Sequence, residues 1–211
     1  MDSVVRSVKM ENYESPKFRQ LIITAKELFM RYGMRRVSVE EICRTAHVSK
    51  MTFYKHFSNK VDLTKYLIRQ MVVENMAQYR NIMDQDIPFS EKVRKTIEMK
   101  LKQSRDVSRE YFHDLTQTQK PQIAEFLARK RQEALQEVLI DYLKAQKRGD
   151  IRKDIKPEFI LYFLNHIIEM VADERLVKLY DAPEELIGEL TKFFFYGILP
   201  REKKVTAKDE A

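Results

Sequence analysis

Between Ser38 and Phe57 the chain reads SVEEICRTAHVSKMTFYKHF, and no other stretch constrains its fold as strongly. Ser38 and Glu41 have the Ser-x-x-Glu spacing of a capping box, in which each side chain takes up the other's unpaired backbone N–H at a helix start. Val39, Ile42, Cys43 and Ala46 then recur on one face of a short helix. Ser49 stands where it can cap a second short helix, Lys50 to His56. Before this pair, residues 16–32 carry Phe18, Leu21, Ile22, Ala25, Leu28, Phe29 and Tyr32 at i, i+3, i+4 spacing, and Gly33 stands where a residue of positive φ closes a helix. A longer helix followed by two short ones joined through "AHVS" is a helix-turn-helix. Its last helix enters the DNA major groove with its N-terminal residues at the base edges.

The spacing within that last helix divides the labour. Phe53 and Phe57 are four apart and face inward, onto Leu28, Phe29, Ile42 and Ala46. Lys50, Met51, Thr52, Tyr54, Lys55 and His56 are left on the exposed face and flanks, with the Tyr54 hydroxyl offered to a phosphate. Charge agrees with this division. Residues 1–60 hold 12 Lys and Arg against 6 Asp and Glu, while residues 61–211 hold 27 against 26. A basic module on a near-neutral body is the electrostatic footprint of a nucleic-acid binder.

The remainder reads as long helices, near residues 60–83, 89–104, 107–117, 121–148, 157–179 and 183–199, which gives an all-α chain of about nine helices. Pro121, Pro157 and Pro183 fall at first-turn positions, and Gly149 marks a turn. The organisation expected is a flexible arm (1–15), a helix-turn-helix domain (16–62), a helical body (63–200) and a flexible tail (201–211). No apolar run approaches the ~18–20 residues of a membrane helix, and the N-terminus lacks a secretory apolar segment, so no membrane partner and a cytoplasmic location are expected. Cys43 is the one cysteine, which excludes a disulfide framework and a CxxC metal site. It lies on an apolar stripe, and no metalloprotease, phosphate-loop or nucleophile-elbow motif is present. Neither catalysis nor a metal or other cofactor is expected.

The segments FILYFLNHIIEMV (159–171) and LIGELTKFFFYGIL (186–199) are apolar nearly all round, and a helix of that kind has a second buried face. The expected arrangement is a four-helix bundle, two helices from each of two copies, with Phe163, Ile167, Met170, Leu190, Phe194 and Ile198 in contact.

Residues 20–63, AKELFMRYGMRRVSVEEICRTAHVSKMTFYKHFSNKVDL at their centre, resemble the DNA-binding domain of the TetR family of transcriptional regulators. "ELF", "YG", "VSVEEI", "VS", "TFY", "HF" and "NK" all fall in family register. The resemblance implies a homodimer bound to palindromic double-stranded DNA, with a C-terminal helical domain for dimerisation and for a small-molecule effector, most commonly in a repressor. A transcriptional activator, or a DNA-binding or interaction protein without an effector, carries the same motif. By this analogy Thr52, Tyr54, Lys55 and His56 contact phosphates or bases and Lys50 adds charge at the groove. Lys60 and Ser38 meet the DNA backbone at helix N-termini. Ser38 and Ser49 serve as DNA contacts or as caps alone. The chain departs from the family in having His47 in the turn and Met51 near the start of the recognition helix, where glycine is usual. Histidine can take a left-handed conformation there, at some steric cost. An effector pocket would lie within residues 89–175, with His113, Asn165, His166 and Glu169 as polar groups and Tyr111, Phe112, Phe126, Tyr162 and Met170 as lining. The long helix beginning at Lys60 would be the lever between pocket and DNA.

Overall fold

The computed structural model describes residues 15–104 and 107–200, with backbone alone at positions 165, 168, 169, 172, 174 and 183. The expected arm, apart from Ser15, and the expected tail lie outside the described residues. Ten helices are present among those described: α1 (Pro16–Tyr32), α2 (Val39–Thr45), α3 (Lys50–His56), α4 (Lys60–Met83), α5 (Phe89–Ser104), α6 (Arg109–Thr116), α7 (Pro121–Arg148), α8 (Pro157–Ala172), α9 (Glu174–Val177) and α10 (Pro183–Ile198). The chain is all-α, as the periodicity predicts. One expected helix, 157–179, is two. Asp173 interrupts it by accepting the backbone N–H of Arg175 at 2.9 Å, the local competition by which a short acidic side chain caps a new helix instead of continuing the old one.

The first core forms around α1–α3. Phe18, Leu21, Ala25 and Phe29 from α1 meet Ile42, Cys43 and Ala46, with Phe53 and Phe57 closing the layer. Three serines start three helices: Ser15, Ser38 and Ser49 accept the N–H of Phe18, Glu41 and Thr52 respectively, each at 3.1 Å.

The α2–α3 turn is left-handed at His47, where the family usually has glycine. His47 has φ +52°. Its N–H donates to Arg44 O at 3.2 Å and the N–H of Val48 to Cys43 O at 3.0 Å, the paired bonds of a helix end closed by a left-handed residue. Gly149 ends α7 in the same way, at φ +90°. Among the described residues, positive φ closes α1 and α7 at glycines, Gly33 and Gly149, and α2 at His47.

In the body, α5 packs on α10, α4 on α7, and α7 on α8. Phe89, Val93 and Ile97 (α5), Tyr142 and Ala145 (α7), Ile160 (α8) and Phe194, Phe195 and Ile198 (α10) make its main core. Here the structure corrects the expected dimer face. Leu190, Phe194 and Ile198 are buried within this chain, and Phe163 stacks on Phe194 at 5.2 Å between centroids. The outward aromatics of these helices are Phe159, Tyr162, Phe193 and Tyr196. The apolar character all round α10 hid which face the chain itself takes.

Two elements join the halves. The 24 residues of α4, about 36 Å long at 1.5 Å per residue, begin in the first core at Leu63 and continue to Ile68, which packs on Ile123 and Phe126 of α7. The second element is α6. Its Tyr111 completes the first core and donates its hydroxyl to Met71 Sδ at 3.6 Å. The Ser108 N–H before it donates to Met30 O at 2.9 Å, and Asp114 Oδ2 accepts the Arg35 N–H at 2.7 Å. Gly33, with φ +81°, lies so close beneath α6 that an added Cβ would come within 2.7 Å of Asp114 Oδ2.

Candidate DNA-binding surface and the cavity behind it

The recognition face of α3 is built by exclusion. Phe53 and Phe57 lie 5.7 Å apart, ring to ring, inside the core, so the intervening residues turn out. Met51 is 82 % exposed and Tyr54 is exposed as well. The Tyr54 ring rests edge-on against Phe53 at 5.2 Å, which holds the phenol at the helix margin with its hydroxyl outward. Lys55 is exposed and Thr52 half-buried, and the Ser49 and Thr52 hydroxyls lie 3.0 Å apart.

The basic and imidazole groups are not equivalent. Lys50 Nζ pairs with Glu40 Oε1 at 2.6 Å. Their hydrogen bond holds the Glu40 carboxyl below and the Lys50 ammonium above their ordinary values. This charge is partly offset in the free protein, but the pair is open to water and a phosphate can displace the carboxylate. His56 is half-buried, its ring centroid 4.7 Å from that of Phe18. Burial, then the neighbouring Lys55, pushes its pKa down. Lys60 Nζ donates to Val37 O at 2.8 Å and Arg35 O at 3.2 Å, tying the start of α4 to the loop before α2. Burial pulls its pKa down, and an ammonium has a third N–H to offer. Ser38 and Ser49 act as helix caps. Cys43 is buried, and burial raises its thiol pKa, the opposite of what a nucleophile needs.

Behind this domain a cavity of about 200 Å³ is lined by Arg109, Phe112, His113 and Thr116 of α6, with Val171, Val177, Lys178, Tyr180, Ala182 and Leu186 across from them. Of the expected pocket residues, Phe112 and His113 line it. Tyr111 faces the first core instead, because it lies on the opposite side of the same helix. Phe126 packs between α4 and α7. Tyr162 is 61 % exposed and stacks on His166 at 4.0 Å on the outer surface. Met170 is not in the lining, which its neighbour Val171 joins instead. The side chains of Asn165 and Glu169 lie outside the described residues. The sequence reading missed Arg109 and Thr116, although 109, 112, 113 and 116 form a helical stripe that could have revealed them. It missed 177–186 because those residues reach the cavity only through the packing of α9 and α10.

The fold and this surface define a helix-turn-helix DNA-binding domain joined to a helical body. Residues 21–67 match the family model described as bacterial regulatory proteins, tetR family. The chain is 35 % identical over 65 residues to the Transposon Tn10 TetC protein of Escherichia coli, an alignment covering 31 % of this chain and 32 % of that protein, so the match spans about a third of the relative's length. Among solved structures, regulatory protein TetR from Rhodobacter sphaeroides superposes with a TM-score of 0.68 at 18 % identity, covering 88 % of this chain and all of that one (100 %). A putative transcriptional regulator from Saccharomonospora viridis in complex with choline has a TM-score of 0.68 at 19 % identity, covering 87 % and 97 %. The match to the tetR family of bacterial regulatory proteins covers the first domain, and the chain as a whole has the fold of those solved structures. Among the described residues no helix is long and apolar enough to cross a membrane.

Proposed function

We propose that the protein is a homodimeric, sequence-specific transcriptional repressor that a small molecule in the α6 cavity releases from DNA. The observation that carries this reading is the two-sided use of α6. Arg109, Phe112, His113 and Thr116 line the cavity, while Tyr111 and Asp114 hold the DNA-binding domain. A ligand that shifts α6 by a fraction of its pitch acts on both ends at once, and only a ligand with different affinity for the two arrangements moves the equilibrium. The choline bound to the Saccharomonospora viridis protein supports a body of this fold as a ligand site.

Dimerisation is assigned to the outward aromatics Phe159, Tyr162, Phe193 and Tyr196, with Phe163 and Ile167 beside them. It would set two α3 helices about 34–36 Å apart, one DNA turn. At each half-site Met51 and Thr52 face base edges, while Lys50, Tyr54, Lys55, His56 and Lys60 serve the phosphates.

The test is fluorescence-anisotropy binding to DNA from upstream of the protein's own gene, against a scrambled duplex, at low and moderate salt. Selective binding that survives moderate salt is expected. Equal binding to both duplexes that vanishes with salt contradicts sequence-specific recognition, because the phosphate contribution alone is what salt removes.

A further inference from the structure

The lining of the α6 cavity is sorted by charge and depth. The described lining holds Arg109, Lys178 and the imidazole of His113, each exposed, and no carboxylate. Its deeper wall is apolar, with Phe112 and Val177 half-buried and Leu186 buried. The nearest carboxylate to His113 is that of Asp114, at 4.0 Å from Nδ1, and its other oxygen already accepts the Arg35 N–H. The Tyr180 phenol donates to Glu189 Oε2 at 2.8 Å. Arg109 is braced where a headgroup would meet it. Nη2 donates to Tyr180 O at 2.9 Å and to Asp181 O at 2.7 Å, which leaves Nε–H and the Nη1 hydrogens as single donors for a ligand.

From this arrangement we infer that the cavity binds a small organic carboxylate, its anionic head between Arg109 and Lys178 at the rim and its apolar body against Phe112, Val177 and Leu186. A carboxylate oxygen accepts a charge-assisted hydrogen bond from each cation, a guanidinium N–H of Arg109 and the ammonium of Lys178. The volume of about 200 Å³ falls below the ~300–1,000 Å³ of sites for drug-sized ligands, which selects a monocarboxylate with a short chain or one ring. The inference rests on the reading of this cavity as the effector site. It adds a lever, because a carboxylate drawn to Arg109 pulls on the first turn of α6, the helix that holds Arg35 through Asp114.

The experiment uses the full chain and calorimetric titration with octanoate, phenylacetate, octanol and choline, alongside anisotropy on the protein's operator. Binding of at least one of the two carboxylates is expected, with octanol and choline at least tenfold weaker. Lys178→Gln should weaken that carboxylate about tenfold, the order expected for losing one charge-assisted hydrogen bond. Lys178 is exposed, and replacing it leaves the bonds of Arg109 to the Tyr180 and Asp181 carbonyls in place. Tighter binding of choline or octanol, an unaltered carboxylate affinity in Lys178→Gln, or no carboxylate binding at all overturns the inference. Carboxylate binding that depends on Lys178 but leaves operator affinity unchanged upholds the ligand class and removes the effector role. Choline or octanol that releases the operator does the reverse.

Discussion

Two pairs of neighbouring aromatics, Phe53–Tyr54 on α3 and Phe193–Phe194 on α10, face the same question and answer it differently. In each pair one ring is buried and the next is exposed: Phe53 in and Tyr54 out, Phe194 at 6 % and Phe193 at 73 % exposure. On α3 the surrounding residues declare the answer. Lys50, Lys55 and the Tyr54 hydroxyl need water or phosphate, and Phe57 repeats Phe53 at one turn's spacing. On α10 the sequence is apolar on both sides, so the local pattern fits either rotation of the helix. The α3 face is selected by polarity, the α10 face by what α5, α7 and α8 happen to present.

Emptying the buried member of each pair should give the largest effects. Phe53→Ala and Phe194→Ala should each cost about 3–5 kcal/mol, read by denaturant unfolding, with Phe53→Ala also abolishing operator binding. A Phe194→Ala variant that folds normally but loses self-association would show that Phe194, not Phe193, is the outward ring. The complementary substitution is Phe193→Asp. It should leave the secondary structure intact while converting the dimer to monomer in ultracentrifugation and weakening operator binding, because two half-sites are no longer read together. Persisting dimers would move the interface elsewhere.

Gly33→Ala sharpens the comparison at the junction of the halves. The methyl group must enter a space 2.7 Å from Asp114 Oδ2 at φ +81°. A destabilisation of about 1–3 kcal/mol is expected, together with altered effector response in anisotropy. An unchanged response would remove α6 from the coupling. The smallest effect belongs to the turn. His47→Gly relieves a left-handed side chain at φ +52° while adding backbone freedom to the unfolded chain, and should stabilise by up to about 1 kcal/mol, or about 2–4 °C in Tm. A lower Tm would mean that the imidazole makes a contribution of its own in the turn.

The contrast recurs in the cavity. The stripe 109, 112, 113 and 116 lies on one helix and is visible to anyone counting turns, yet only the docking of Tyr111 into the first core decides which side of α6 meets the DNA-binding domain. Tyr162 and His166 have the composition of pocket residues but stack on the outer surface. Lys178 and Leu186 reach the cavity only after Asp173 has ended α8 and the chain has turned back.

From the sequence alone came the helices, their serine caps, the left-handed turn at His47, the inward Phe53 and Phe57, and the exposed basic helix. These follow from interactions a few residues long, whose geometry is the same wherever the segment is placed. The tertiary structure decided which face of α10 is core, which side of α6 lines the cavity, that Lys50 pairs with Glu40, and that Lys60 ties α4 to the loop carbonyls. Those outcomes depend on partners distant in sequence and on choices between apolar faces of similar burial energy, which no local spacing encodes.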